Sequence, residues 1–337
     1  MTERIHCANI TYSMEQSTLD KLLSAVEKPV RYIGGELNSI CKPEADFRFA
    51  LCFPDVYEIG MSHVGSRILY HILNGLDGVA CERAFAPWPD MEQRLAEAGE
   101  RLFSLETKRP LSEFGIVGFS LLYEMCYTNI LTMLSLSGIP LRACARAESD
   151  PLVIAGGPCC CNPEPVAPFF DAILIGDGEE LIVETTQLVR RMREENASRE
   201  AILMRLASLR GVYVPSLAAD GERTVRRIVS DLDAMPYVGK PIVPYMGIVH
   251  DRVAIEVMRG CTRGCRFCQA GYIYRSCAVL RIDFPSKSGP ISFSRISAIR
   301  GKSASGTLVI HASASPLPPF DSSAKITVSR FGNFFVP

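Results

Sequence analysis

Apolar, strand-like runs alternate with helix-like segments from residue 47 onward, and this alternation limits the fold more than any other feature. The runs are Phe47–Phe53, Val79–Phe85, Gly115–Ser120, Leu152–Pro158 and Asp171–Glu180. Strands that alternate with helices over short loops form a parallel sheet covered by helices on both faces. The sequence therefore predicts an α/β domain at residues 46–230. It also predicts that Ser62 caps a helix that contains Ile68, Leu69, Ile72 and Leu73.

Glycines lie in the last part of each of the last two runs, where the chain leaves the predicted sheet. The candidate cofactor-binding residues are Gly156, Gly157, Pro158, Gly176 and Gly178. Ligands of such sheets bind outside the carboxyl ends of the strands. Glycine is also the common residue of ordinary tight turns, so each loop could instead be a turn without a ligand.

Three cysteines lie within eight residues, at Cys261, Cys265 and Cys268, directly after the strand-like run Val253–Met258. Structural zinc sites and ordinary electron-transfer clusters usually have four protein ligands. Three ligands in one loop favour a 4Fe-4S cluster with one iron left open. The alternatives are a zinc site with Cys277 or His250 as fourth ligand, and three structural cysteines that meet this spacing by chance.

This strand and loop closely resemble the radical S-adenosylmethionine (SAM) superfamily, in which C-x-x-x-C-x-aromatic-C follows the first strand of a partial (β/α) barrel. The resemblance implies that Cys261, Cys265 and Cys268 bind the cluster and that Phe267 lines the adenosyl site. It also implies that S-adenosylmethionine binds the open iron and is cleaved reductively to a 5′-deoxyadenosyl radical. Catalytic residues and substrate are not indicated.

Three further motifs, Gly156–Pro158, Asn162–Glu164 and Gly176–Glu180, resemble the cobalamin-binding, Rossmann-like domain that precedes the barrel in many radical SAM proteins. More narrowly, the chain resembles one subgroup of these proteins. That resemblance rests on Arg31–Asn38, Phe53–Gly65 and Cys261–Arg275. It makes cobalamin a possible third cofactor.

The cobalt-ligand motif of base-off cobalamin proteins is D-x-H-x-x-G, and the segment around His63 departs from it. Met61–Ser66 has no aspartate two residues before His63, and its glycine comes one place early. A ligating imidazole needs a carboxylate or carbonyl partner. We therefore expect His63 to begin a helix or line a pocket. We expect Cys159–Cys161 to be small loop residues.

Composition favours a cytoplasmic protein, and the family resemblance implies that its partners are small-molecule cofactors. The sequence has 13 cysteines, and its first 20 residues carry no apolar signal segment, which favours a reducing cytosol. A net charge of −1 gives no general attraction to nucleic acids or acidic membranes. The family resemblance adds a reductant such as ferredoxin or flavodoxin as partner. No membrane partner is expected, and an RNA substrate stays open.

The composition changes abruptly after Arg275. Residues 276–337 hold 13 serines, two aspartates and no glutamate. Sixty-two residues are too few for the remaining strands of a barrel, since each βα unit takes ~30 residues. Within them only Leu308–His311 and Lys325–Val328 are strand-like. The family's Gly-Gly-Glu motif does not follow Cys268. We therefore expect a radical SAM chain that is truncated or frameshifted after Arg275, with a disordered tail. A natural short variant is the alternative.

The predicted organisation has five parts. These are a lead-in at 1–45, the Rossmann-like domain at 46–230, a linker at 231–250, the start of a radical SAM domain at 251–275, and the aberrant tail at 276–337. Two other functions stay open from the sequence. One is a non-catalytic cobalamin- or nucleotide-binding module, and the other is a small zinc-binding protein.

We predict that this chain forms 5′-deoxyadenosine from S-adenosylmethionine far more slowly than a variant whose reading frame continues a barrel after Arg275. In the family that it resembles, later strands hold the substrate against the cluster, and such positioning supplies ~7–11 kcal/mol of a barrier. Chromatographic assay of 5′-deoxyadenosine under strong reductant checks this. Comparable rates would mean that residues 276–337 complete a working site.

Overall fold

The computed structural model describes residues 14–219, 221, 223–236, 238–251, 254–256, 258–261, 265–274, 278–279, 307–311 and 327–328. The chain divides into two units. The first is Met1–Val229 with Pro236–Val249, and the second is Ser230–Met235 with His250–Pro337. The first unit contains the predicted α/β domain, and the second contains the cysteine loop. Cys277 lies outside the described residues, as does most of 276–337.

The first unit contains the alternation of strands and helices that the sequence predicts. Its strands are β1 (Phe47–Phe53), β2 (Val79–Phe85), β3 (Ile116–Ser120), β4 (Leu152–Gly156), β5 (Ala172–Leu174) and β6 (Val212–Tyr213). Its helices are α1 (Gln16–Ser24), α2 (Val30–Ile33), α3 (Tyr57–Gly60), α4 (Val64–Asn74), α5 (Pro89–Ala98), α6 (Tyr127–Leu136), α7 (Gly178–Glu194) and α8 (Arg199–Ala207).

These six strands form one sheet in the order β2-β1-β3-β4-β5-β6. The first five are parallel to their neighbours, and β6 is antiparallel to β5. The mostly parallel α/β fold is therefore confirmed. The order 2-1-3-4-5 is that of doubly wound flavodoxin-like sheets, and the direction of winding reverses between β1 and β3.

The sheet separates two apolar cores because successive side chains of a strand point to opposite faces. Ala50 and Cys52 of β1 lie in one core, together with apolar residues of α1, α5 and α6. Phe49 and Leu51 of the same strand lie in the other core, with residues of α4, α7 and α8. Strands buried on both faces read as continuous apolar runs, which is why the sequence revealed them.

The cap of α4 differs from the sequence prediction. Ser62 was expected to be the capping residue, but its hydroxyl donates to the carbonyl of Glu58. His63 caps the helix instead, with its Nδ1 accepting from the backbone N–H of Ser66 at 3.1 Å. The prediction for Ser62 was wrong because an imidazole nitrogen can accept the same N–H. The expectation that His63 begins a helix is confirmed.

Two of the glycines after strands allow backbone segments to pass close to each other. Gly157 has φ 117°, and a Cβ there would lie 2.6 Å from the carbonyl oxygen of Leu121. Gly176 has φ 122°, and a Cβ there would lie 2.0 Å from the carbonyl oxygen of Arg227. Arg227 is held in this position by backbone hydrogen bonds with Ile175 and Asp177. Glycine is therefore required at both positions by the chain's own packing.

The second unit contains short strands and one helical turn within its described residues. They are β7 (Ala254–Glu256), β8 (Met258–Arg259), α9 (Ala270–Ile273), β9 (Ala278–Val279), β10 (Thr307–His311) and β11 (Thr327–Val328). The strand predicted before the cysteine loop therefore corresponds to two short strands, β7 and β8. However, β7 pairs antiparallel with β10, and β8 pairs antiparallel with β9. The start of a parallel barrel stays a prediction.

Among the helices of the described residues, none combines the length and the apolar character that crossing a lipid bilayer requires.

We predict that Gly176→Ala destabilises the first unit by about 2–4 kcal/mol, from a strained backbone plus the clash with Arg227. Gly99 is the matched control. It also has a positive φ (68°), but no atom of the described residues lies within 4 Å of the place that its Cβ would take. Gly99→Ala should cost about 1 kcal/mol. Urea unfolding followed by circular dichroism measures both. Equal losses would contradict the close approach at Gly176.

Candidate functional site

The loops that follow β1 and β3 meet at the point where the strand order reverses. Ligands of doubly wound sheets bind at such a point. Asp55 follows β1, and the hydroxyl of Tyr123, which follows β3, donates to its Oδ2. Asn129 of α6 donates from Nδ2 to the carbonyl of Pro54 at 3.0 Å. Burial raises the pKa of Asp55, and the nearby charge of Glu58 adds to the shift. The two loops are thus joined across the switch point.

The predicted cofactor-binding residues lie at the same edge of the sheet, after β4 and β5. Gly156 ends β4, and Pro158 begins a 3₁₀ turn through Cys161. Gly178 begins α7, where an added Cβ would lie 3.3 Å from Leu69. As described above, Gly157 and Gly176 are required by neighbouring backbone. Their role in binding a cofactor stays a prediction, since packing accounts for the two with positive φ.

The cysteine triplet Cys159–Cys161 lies in this 3₁₀ turn. Cys159 and Cys160 are buried and Cys161 is exposed. Burial raises the pKa of Cys159 to about 11 and that of Cys160 still further. Protonated thiols are poor nucleophiles and poor metal ligands. Cys159 and Cys160 pack inside the loop and Cys161 lies at its exposed end, which agrees with the interpretation of the three as loop residues.

A buried ion network lies beside this edge, centred on Arg83 of β2. Its Nη2 donates to Glu36 Oε2 at 2.7 Å, and its Nε donates to Glu106 Oε1 at 2.7 Å. The hydroxyl of Tyr57 donates to Glu36 Oε1 at 2.8 Å. Burial alone would raise the pKa of Glu36, but the charge and hydrogen bonds of Arg83 outweigh it and lower that pKa. The network joins the segment before β1, the loop after β1, strand β2 and the segment after α5.

Further charges extend the network. Glu82, the neighbour of Arg83 in β2, accepts from Arg48 Nη1 at 2.6 Å. Lys108 is 1% exposed and donates from Nζ to the carbonyls of Ile33 and Leu105. Burial lowers the pKa of Lys108 to about 8. Removing one member of a buried ion pair costs about 3–5 kcal/mol, because the other charge is left uncompensated. The network is therefore a rigid part of the fold.

Sequence analysis did not identify this network. Its one visible signal is the pair Glu82-Arg83 inside an apolar strand that the structure buries along most of its length. Two adjacent charges in such a strand require buried partners. The partners lie far along the chain, at Glu36 and Glu106, so their identity follows only from the tertiary structure.

His63 is neutral under most conditions. Burial lowers the pKa of His63 to about 4, and the charge of Arg67 contributes. Its ring lies 5.5 Å from that of Phe53. Since Nδ1 accepts from Ser66, the remaining proton of the neutral ring is on Nε2.

The cysteine loop belongs to the second unit and is closed by its own backbone. The N–H of Cys261 donates to the carbonyl of Tyr274 at 2.9 Å, so the two ends of the loop meet. Cys261, Cys265 and Cys268 are each partly buried. Residues 262–264 lie outside the described residues. Within the described residues, no three His, Cys, Asp or Glu side chains are grouped as a metal site.

The donor set of this loop nevertheless suits an iron–sulfur cluster. It consists of three soft thiol ligands, none of them fully buried. Gly260 has φ 94°, so the backbone turns sharply just before the first cysteine. Phe267 is 85% exposed. A ring with so much of its surface open to solvent can contact a bound molecule.

Part of the first unit is similar to known proteins. Residues 65–215 match a family described as radical SAM proteins, N-terminal. The match runs from α4 to just after β6, and so leaves out β1 and the cysteine loop. An uncharacterized protein of Methanocaldococcus jannaschii is 25% identical over 174 residues, covering 51% of this chain. The chain spans about a third (34%) of that relative's length. No solved structure matches.

We predict that part of the chain's acid sensitivity comes from His63. Its folded-state pKa of about 4 lies below the ordinary 6.5, so its contribution to stability is present above pH ~6.5 and is lost as the pH falls toward 4. His63→Asn keeps a capping acceptor but does not titrate. It should lose less unfolding free energy than the wild type between about pH 7 and about pH 4.5. Urea unfolding at the two pH values measures this.

The control is His71→Asn, in the last turn of the same helix. The pH dependence of His63→Asn should differ from that of the wild type by more than the pH dependence of His71→Asn does. If His63→Asn loses as much stability on acidification as the wild type does, the assignment of this acid sensitivity to His63 is wrong.

Proposed function

We propose that this chain is an iron–sulfur protein of the radical SAM type, with a 4Fe-4S cluster held by Cys261, Cys265 and Cys268. The observation that carries the proposal is the C-x-x-x-C-x-x-C loop itself, which offers three thiols and no fourth. The match of residues 65–215 to the N-terminal domain of radical SAM proteins supports it independently, because it concerns a different part of the chain.

The loop's own residues set where such a cluster would bind. The bond between the Cys261 N–H and the Tyr274 carbonyl closes the loop, and the N–H of Cys268 donates to the carbonyl of Cys265 at 3.1 Å. These bonds fix the backbone between the second and third cysteines as a turn. Three thiols in one closed loop can all approach one metal centre. Cysteines far apart in the chain could do so only if the tertiary structure brought them together.

When bound, the cluster would supply the electron for reductive cleavage of S-adenosylmethionine. Within the loop, the role we propose for Phe267 is to stack its exposed ring on the adenine. Glu256 at the end of β7 and Arg259 at the end of β8 form an ion pair at 2.7 Å just before the loop. Electron supply requires a reductant, and we propose a small electron carrier such as ferredoxin or flavodoxin.

We predict that anaerobic reconstitution with iron and sulfide gives a brown protein, and that Cys265→Ala loses the visible charge-transfer absorbance and most of the bound iron. Cysteine thiolates are the ligands of such clusters, and the two cysteines left in this variant are too few to hold one. Iron analysis, absorbance and paramagnetic resonance of the reduced sample are the measurements.

The matched control is Cys161→Ala, which removes an exposed cysteine of the first unit. Its absorbance should equal that of the wild type. Equal loss of absorbance and iron in both variants would contradict the assignment of the cluster to the 261–268 loop. A colourless protein with bound zinc would replace it with a zinc site.

A further inference from the structure

The loop after β1 is where a cobalamin-binding domain of the class that this chain resembles would carry its cobalt ligand. Asp55–Gly60 directly follows β1 and reads D-x-Y-x-x-G. This is the pattern D-x-H-x-x-G with tyrosine in the place of histidine. It fits that pattern better than the segment around His63 does. The structure shows what Asp55, Tyr57 and Gly60 contact.

Tyr57 points into the protein. It is 1% exposed, and its hydroxyl donates to Glu36 at 2.8 Å. Its ring meets Phe85 edge-on, with centroids 5.3 Å apart. Burial raises the pKa of Tyr57 far above its ordinary value, and the charge of Glu36 adds to this. A phenol that stays protonated and faces the core cannot ligate a metal at the sheet edge.

Asp55 is also engaged. In the cobalt-binding motif, an aspartate in this position would orient the imidazole. Here its Oδ2 accepts from the hydroxyl of Tyr123 and its Oδ1 accepts from the N–H of Val56 at 2.7 Å. Gly60 has no free space either, since a Cβ there would lie 2.2 Å from Phe85. All three defining positions of the motif therefore serve the protein's own packing.

His63 cannot take over as the ligand in this arrangement. Its Nδ1 accepts from the N–H of Ser66 and caps α4, so the proton of the neutral ring is on Nε2. In this tautomer no lone pair is left for cobalt, and the other tautomer, in which Nδ1–H donates to the Ser66 hydroxyl at 2.8 Å, gives up the bond from the Ser66 N–H. Binding cobalt through Nε2 would require loss of the helix cap.

The adjacent residue strengthens this view of the loop. Glu58 accepts from Arg31 through Nε at 3.0 Å and through Nη2 at 2.8 Å, a bidentate pair. Arg31 in turn lies 4.8 Å above the ring of Trp88. Tyr57 and Glu58 thus bind two residues of the segment that precedes β1, Glu36 and Arg31. Arg83 and Lys108 hold the same segment as well, through Glu36 and the carbonyl of Ile33.

We propose that this α/β domain provides no histidine ligand for cobalamin, and that the loop after β1 is instead an anchor that holds residues 30–38 on the sheet. Cobalamin bound to this domain would therefore have no histidine nitrogen of the protein on cobalt, whether or not its own dimethylbenzimidazole base stays bound there. This goes beyond the proposed iron–sulfur function and is independent of it, because every residue involved belongs to the first unit.

The first test uses the full chain, labelled uniformly with ¹⁵N, and unlabelled cob(II)alamin. Paramagnetic resonance separates the coordination states, since ¹⁴N and ¹⁵N split the cobalt signal differently and a cobalt without an axial nitrogen shows no such splitting. Absence of binding, or a bound signal with ¹⁴N splitting or with no nitrogen splitting, supports the proposal. A bound signal with ¹⁵N splitting would overturn it, and repeating the experiment with His63→Asn would then identify whether His63 is the ligand.

The second test addresses the anchor by hydrogen exchange of the peptide that contains residues 30–38. Tyr57→Phe removes one of the two donors to Oε1 of buried Glu36, the other being Arg83 Nη1 at 3.0 Å, and exchange of this peptide should become about tenfold faster. Tyr213→Phe is the matched control, because Tyr213 also donates to a glutamate, Glu164, at 2.8 Å, but at an exposed site. It should leave the peptide unchanged. Equal exchange in the two variants contradicts the anchor.

Discussion

The guanidinium of Arg83 lies in the interior of the first unit with 6% of its side chain exposed, between two carboxylates that are still more buried. A buried charge is tolerated only where it is paired and hydrogen-bonded. Glu36 and Glu106 meet that requirement from opposite directions along the chain. Because neither can move without exposing or isolating a charge, strand β2 fixes the segment before β1 and the segment after α5 together.

This interaction also explains why the loop after β1 faces inward. The hydroxyl of Tyr57 donates a hydrogen bond to Glu36. A tyrosine that donates to a buried carboxylate cannot also point to the edge of the sheet. The edge is further closed by the bond between Tyr123 and Asp55. In the usual doubly wound domain this switch point receives a ligand. Here its polar groups are bonded to one another, so a ligand there would have to displace them.

The cysteine loop follows a different principle. Its closure depends on backbone bonds within about a dozen residues, such as that from Cys261 to Tyr274, and on a glycine with positive φ at Gly260. Local bonds of this kind do not require a large core. The matched family region at 65–215 lies wholly in the other unit. The iron–sulfur proposal therefore draws on two separate parts of the chain.

The sequence by itself determined the parallel sheet and the cysteine spacing, because each depends on residues that are close together in the chain. Strands such as Phe47–Phe53 are apolar throughout since both faces are buried, and three cysteines in one loop are adjacent whatever the fold. The tertiary structure alone decided which residues meet across long distances. Tyr57 had no predicted role because Glu36 and Arg83 lie 21 and 26 residues away in sequence (57 − 36 and 83 − 57). Likewise, the sequence is compatible with a ligand-binding loop at Gly176, and only the structure shows that the backbone of Arg227 passes beside this glycine. Such contacts depend on how the strands are ordered in space, which local patterns do not encode.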